Sequence, residues 1–277
     1  MGTLYLIATP IGNLEDITPR ALRLLGQAGT VAAEDTRTAR RLLTHYSVRA
    51  KLLSYNDHNR RSRIPQILDL LGVEDVALIS EAGTPAISDP GQELVSAAIE
   101  REIRVVSIPG ASAVLTALTV SGLPTRQFLY LGFLPRRPGE RRSMLRDVAT
   151  ETRTLVCFEA PSRLRASLRD MLVCLGDRRI AVCRELTKLH EETLRGTISE
   201  LLARDVEPRG EYTVVIEGSP PPPEAQVDKH ALGRLSELWR QGASAREATT
   251  RLSAELGLPR KRLYEAWLKL HGASKPE

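Results

Sequence analysis

Leu78–Gly91, LISEAGTPAISDPG, is the stretch of this 277-residue chain that decides its fold. The apolar run Val76-Ala77-Leu78-Ile79 has the length and side chains of a buried strand. It ends at Ser80 and Glu81 and breaks into two elbows, Ala82-Gly83-Thr84-Pro85 and Ser88-Asp89-Pro90-Gly91. Helical spacing of apolar residues then begins at Gln92 and runs through Leu94, Val95, Ala98 and Ile99. A strand that opens into a loop of small residues before a helix marks the carboxyl edge of an α/β sheet, where such proteins take ligands. Glycine lets a ligand approach the backbone and proline holds the loop's shape. The stretch therefore predicts the floor of a small-molecule site.

The pattern repeats on both sides of this stretch. Strands are expected at Thr3–Ala8, Thr30–Ala33, Lys51–Ser54, Val76–Ser80 and Arg104–Ile108. Helices are expected at Thr18–Gln27, Thr36–Tyr46, Ser62–Leu71, Gln92–Arg101 and Ser112–Ser121. Such alternation is the mark of a mostly parallel sheet covered by helices. Gly122-Leu123-Pro124-Thr125 reads as a hinge. It is followed by strands Phe128–Phe133, Thr154–Phe158, Arg179–Arg184 and Tyr212–Glu217, with helices Glu140–Ala149, Ser162–Leu175 and Ile198–Arg204 between them. The expected organisation is an N-terminal α/β domain over 1–122, a second α/β domain over 123–218 and a proline-rich linker over 219–227. A three-helix domain of helix-turn-helix type over 228–272 completes it. The active cleft would lie between the two α/β domains. In the last domain Gly242, and then Gly257-Leu258-Pro259, separate the helices, and the final one carries Arg260, Lys261, Arg262 and Lys269. That pattern fits nucleic-acid contact, or else a packing or dimerisation module.

Composition excludes several classes. The chain is 42% hydrophobic and 26% charged, and no apolar run approaches the ~20 residues of a membrane helix. No basic segment followed by a long apolar one opens the sequence, so no export signal is expected. Cys157, Cys174 and Cys183 are isolated from one another, which suggests buried reduced thiols, no metal site and a cytoplasmic protein. Net charge is +5, with arginine clusters at Arg37–Arg41, Arg60–Arg63 and Arg136–Arg146 that would suit phosphate groups.

Familiar chemistries are absent. There is no GxxxxGK[ST] loop, no GxGxxG after the first strand, and Gly110-Ala111-Ser112 lacks the second glycine of a hydrolase elbow. What remains is a set of small, polar loops at strand ends: 9–13, 33–38, 54–59, 81–91 and 109–113. Phe158–Arg163 of the second domain joins them. Together they would line a cleft for a neutral-to-cationic, nucleoside-bearing ligand.

Seven stretches identify a family: 4–22, 32–43, 78–91, 108–118, 128–142, 183–192 and 210–218. Among them are LYLIATPIGN, AAEDTRTARRLL and FLYLGFLPRRPGERR. In this order and over nearly all of both α/β domains, the chain resembles the tetrapyrrole methylase-like superfamily of S-adenosylmethionine-dependent methyltransferases, in its ribosomal-RNA branch. The resemblance implies methylation of a cytidine 2′-hydroxyl in the decoding region of 16S rRNA, on naked RNA or the assembled small subunit, by a homodimer. It implies cofactor contacts from Pro10, Gly83, Thr84, Ile87, Ser112 and Ala113. Thr84 stands where the tetrapyrrole enzymes carry aspartate, as in the RNA branch. Three departures stand out: Ala111 for a proline, Ser162 for a histidine, and Glu102 for a turn glycine.

Methyl transfer to a ribose oxygen is an in-line displacement that needs alignment and a proton acceptor. Among Glu34, Asp35, Asp57, Glu81, Glu159 and Glu185, all near strand ends, the first choices are Glu159 and Glu34. Each could instead be structural, pairing Arg37, Arg163 or Lys188. RNA phosphates would meet Arg136, Arg137, Arg141 and Arg142, then Arg60 and Arg61. Aromatic residues make up only 4% of the chain, which argues for backbone and shape recognition over extensive base stacking. The rival readings are a methyltransferase on a small molecule such as a tetrapyrrole, and a non-catalytic RNA-binding scaffold.

Overall fold

A computed structural model describes residues 1–204, 210–220 and 227–272. Five parallel strands form the first sheet: β1 (Thr3–Ile7), β2 (Thr30–Ala33), β3 (Lys51–Ser54), β4 (Val76–Ile79) and β5 (Arg104–Ile108), in the order β3-β2-β4-β1-β5. The inner strands β2 and β4 are buried along their whole length, as their short apolar runs require of strands covered on both faces. Alternate residues serve opposite cores. Ala77 and Ile79 of β4 join Val31 and Ala33 of β2 against α1 (Pro19–Gln27) and α2 (Thr36–His45). Val76 and Leu78 join Leu4 and Ala32 against α3 (Arg60–Leu71) and α4 (Gln92–Glu100). Helix starts follow local chemistry: the Thr18 side chain accepts from Ala21 N, with proline in the first turn of α1.

The second sheet is mixed. It contains β6 (Phe128–Phe133), β7 (Thr154–Glu159), β8 (Arg179–Arg184), β9 (Glu192–Thr197) and β10 (Tyr212–Ile216), in the order β6-β7-β10-β8-β9. Only β6 and β7 run parallel. Strand β9 is absent from the sequence reading. Its residues, ETLRGT, are mostly polar because it is an edge strand paired only with β8, so alternation is weak. One face of this sheet packs on α6 (Pro138–Asp147), α7 (Leu164–Leu175) and α8 (Ile198–Ala203). The other receives α5 (Ala113–Ser121), whose Val114, Ala117 and Leu118 meet Val156, Ala181, Cys183 and Val215. Helix α5 therefore follows the first sheet in sequence but packs on the second. Both sheets belong to one compact unit, 1–219, across the hinge expected near 122. Cys157 and Cys183 are buried in strands and all three cysteines are free.

Residues 220–277 form the second unit. Most of the expected linker, including the prolines after Pro220, lies outside the described residues. The helices α9 (Lys229–Arg240), α10 (Ala245–Leu256) and α11 (Arg260–His271) enclose their own core of Leu235, Leu238, Leu252, Leu263 and Trp267. Ser244 and Glu247 close a capping box on α10, and Gly257 ends that helix in the left-handed region. Among the described residues no helix is long and apolar enough to cross a membrane.

Glu102 turns the chain from α4 into β5 with φ of +55°, in the left-handed region where a side chain is strained. This is the position at which the resemblance implies a turn glycine. Glu102→Gly is expected to raise stability by about 0.5–1 kcal/mol, read from denaturant unfolding. Unchanged or lowered stability would contradict the strain.

Candidate active site

Strands β1 and β4 are neighbours, but the chain leaves them towards opposite faces, since α1 and α4 lie in different cores. A crevice opens at such a reversal, outside the carboxyl ends of the strands. Here the loop after β4 is pinned to the loop after β1. Thr9 N donates to Gly83 O at 2.9 Å, and Gly83 N donates to Thr9 O at 3.0 Å. Gly83 has φ of +76°, which suits the turn to glycine. Gly110 permits a second close approach, because a Cβ there would lie 2.9 Å from Ala8 Cβ.

The resulting cavity holds about 500 Å³ and takes its walls from both sheets. The first sheet supplies Ile11, Glu34, the 81–89 loop and the N-terminal turn of α5. The second supplies Phe133, the end of β7 through Pro161, the β8–β9 loop and the start of β10. Ser112 caps α5 by accepting from Leu115 N. Of the residues expected on the cofactor, Gly83, Thr84, Ile87, Ser112 and Ala113 are brought together in this wall, and Pro10 lies between the pinned Thr9 and the lining Ile11. Ala86, Ser88, Glu185 and Thr187, in two loops of the cleft, all carry positive φ. Strain of this kind gathers where a loop is held for a task.

The charge of the wall is one-sided. Six carboxylates line it, Glu34, Glu81, Asp89, Glu159, Glu185 and Glu211, against Lys188. Lys188 is engaged with Glu185 at 2.9 Å. Burial pushes the Asp89 carboxyl up to about 6, with Glu81 and Glu211 adding repulsion against a Ser80 hydrogen bond. Burial likewise raises Glu34, helped by the charges of Asp89, Glu81 and Asp57. Neither Asp89 nor Glu211 stands among the acids that the sequence reading weighed. Asp89 lies in a Ser-Asp-Pro-Gly elbow whose sequence marks only a turn, and nothing local marks Glu211 as facing it.

Glu159, the first choice as proton acceptor, is instead a buried structural hub. Its carboxylate meets Arg163 at 2.6 Å, accepts from Ala160 N at 2.7 Å and accepts from the Ser167 hydroxyl. The structural alternatives considered for Asp35 and Glu185 are also realised, in Asp35–Arg37 and Glu185–Lys188 pairs. Glu34 keeps its place in the wall, with no ion pair among the described residues.

The arginines divide as well. Arg136 and Arg137 are exposed just before α6, with Arg137 reaching Glu140 at 3.1 Å. Arg142 is partly exposed and 3.8 Å from Asp170. Arg61 is exposed at the start of α3, while its neighbour Arg60 is held by Asp57 and Glu93. Arg141 corrects the expectation of a phosphate contact, because its side chain is only 4% exposed. Its Nε and a terminal nitrogen lie 2.7 and 2.5 Å from Asp170 Oδ2, and Nη1 donates to the carbonyls of Pro135 and Arg136. No surface of that guanidinium is left for RNA.

Comparison with known proteins places this geometry. Residues 3–202 match the family Tetrapyrrole (Corrin/Porphyrin) Methylases. A "Ribosomal RNA small subunit methyltransferase I" of Halalkalibacterium halodurans is 44% identical over 273 residues, 96% of this chain and 94% of that one. A protein of the same name from Micromonospora olivasterospora is 48% identical over 95% of this chain and 86% of its own length. Among solved structures, a diphthine synthase superposes with a TM-score of 0.62 at 12% identity, covering 78% of this chain and 90% of that one. A Thermus thermophilus uroporphyrin-III C-methyltransferase, complexed with S-adenyl homocysteine, gives 0.55 at 21% identity over 77% and 97%. These two share the fold.

The contrast between adjacent arginines is measurable. Arg141→Ala leaves the buried Asp170 only the more distant, partly exposed Arg142 at 3.8 Å and is expected to cost about 3 kcal/mol of stability in denaturant unfolding. Arg136→Ala, at the surface, should stay within about 0.5 kcal/mol. Equal effects would contradict the division.

Proposed function

The chain belongs to the tetrapyrrole methylase family, and from that premise we propose that it methylates the ribose 2′-hydroxyl of a cytidine in the decoding region of 16S ribosomal RNA, using S-adenosylmethionine. The observation that carries the substrate half is near-full-length identity to relatives named for the small-subunit RNA. The acid-lined cleft supports the cofactor half, since a cationic ligand offsets the burial and, after it, the mutual repulsion that raise Asp89 and Glu34. S-adenosylmethionine, when bound, supplies an electrophilic methyl group on a positively charged sulfur.

This chain's residues bind and align. Gly83, Thr84 and Ile87 form the floor, with Ser112 and Ala113 at the start of α5, and Pro10 fixes the loop behind Ile11. The carboxylates around Glu34 and Asp89 hold the positive charge. Glu34 is the proposed acceptor for the 2′ proton, because Glu159 is fully engaged elsewhere. The walls that the two sheets contribute would hold the ribose beside the bound cosubstrate and exclude water. Arg136, Arg137 and Arg142, with Arg61, face RNA phosphates. The protein works as a homodimer in the cytoplasm, on the small subunit or its RNA, and needs no metal.

Mapping ribose methylation on small-subunit RNA from a strain lacking this protein tests the assignment. One 2′-O-methylcytidine in the decoding region is expected to disappear, and an unchanged map would sink the reading. The cleft adds a pH signature. Below pH about 6 the Asp89 carboxyl is protonated in the free protein, so binding a cation must expel a proton. The affinity for S-adenosylmethionine should therefore rise with pH up to about 6 and level off above it. Asp89→Asn should flatten that rise and weaken binding at pH 7.5, as read by isothermal titration.

A further inference from the structure

One surface of the cleft is built with more care than a lining wall requires. Phe133 ends β6 with 57% of its surface exposed, in a chain with only three phenylalanines. Its ring packs 5.2 Å from Phe158, which also carries Tyr130 edge-on at 5.4 Å. Residues three apart on a regular strand point to opposite faces. Here the register of β6 against β7 slips between Tyr130 and Phe133, and Gly132 adopts φ of +68°. This bulge brings both rings to Phe158 and turns Phe133 into the cavity.

The segment beyond the ring is braced from behind. Leu134 N donates to Phe158 O at 3.3 Å, and Arg163 Nη1 donates to Leu134 O at 3.1 Å. Arg141 Nη1 donates to the carbonyls of Pro135 and Arg136, both at 3.5 Å. Each bracing arginine is neutralised by its own carboxylate, Glu159 for Arg163 and Asp170 for Arg141. Two ion pairs, each with a buried carboxylate, thus hold the backbone of residues 134–136, with the exposed ring of Phe133 before it and the exposed Arg136 and Arg137 at its end. A preformed surface binds with less lost entropy than a mobile one.

We propose that Phe133–Arg137 is the docking strap for the target nucleotide, with the Phe133 ring as a stacking platform for its base and Arg136 and Arg137 on the flanking phosphates. This inference rests on the RNA-methylation reading above and adds to it the residue that receives the base. A ribose can reach the cleft only if its nucleotide leaves its neighbours, and a flat apolar ring replaces the stacking lost in doing so. The platform recognises a π-face and orients the ribose, while Glu159 and Asp170 act as positioning residues through their arginines.

The test compares wild type with Phe133→Ala, Phe133→Leu and Phe133→Tyr on small ribosomal subunits that lack the modification. A base–aromatic stack is worth roughly 5- to 150-fold in affinity. The Ala and Leu variants should raise KM for the subunit by at least that lower bound, and Tyr should restore it. S-adenosylmethionine affinity by titration and oligomeric state by sedimentation should not move. Leu matching wild type would show that burial rather than stacking matters and overturn the platform. Weakened cofactor binding would assign the ring to the cofactor, and a changed oligomeric state would assign it to a subunit interface; either overturns the proposal. Wild type that binds S-adenosylmethionine but transfers no methyl group to the subunit would overturn the activity itself, and the platform with it.

Discussion

The site depends on the reversal between β1 and β4. Two parallel strands lie side by side, but right-handed crossovers carry their chains to opposite faces, so no helix covers the gap at their carboxyl ends. The paired hydrogen bonds between Thr9 and Gly83 tie the two departing loops across that gap. Because α5 then packs on the second sheet, the loop after β5 is held as firmly as the sheets themselves. The floor of the cleft is therefore anchored to both sheets, as alignment of reacting groups requires.

Electrostatics divides the molecule by task. Net charge is positive, but the cleft wall is acidic and its carboxylates repel one another. Such a wall is costly when empty and favourable around a cation, the charge that the proposed cosubstrate carries. The exposed arginines lie outside it, where they can meet a polyanion without neutralising the acids.

Buried ion pairs explain why two residue types changed role. A carboxylate at a strand end and an arginine in a basic run look functional, and Glu159 is the first and Arg141 the second. Each is nonetheless desolvated and spent on a partner, Arg163 or Asp170. Removing one partner leaves a poorly compensated charge in the core, so each pair resists loss of a single member. Their output is the fixed backbone that carries Phe133, Arg136 and Arg137.

The sequence by itself determined the parallel first sheet, the helices around it, the three-helix tail and the loops that meet at the cleft. These follow from short-range rules: apolar periodicity, capping residues and glycine–proline turns act within a few residues of themselves. Edge strand β9 escaped because a strand paired on one side keeps polar residues and loses its alternation. Only the tertiary structure decided which charges are free. Asp89 and Glu211 are far apart in sequence yet repel each other in the same wall, and Arg141 differs from Arg142 only in the side of α6 it occupies. Desolvation and pairing depend on neighbours brought in from distant segments, so identical residue types in one run can become a brace and a surface contact.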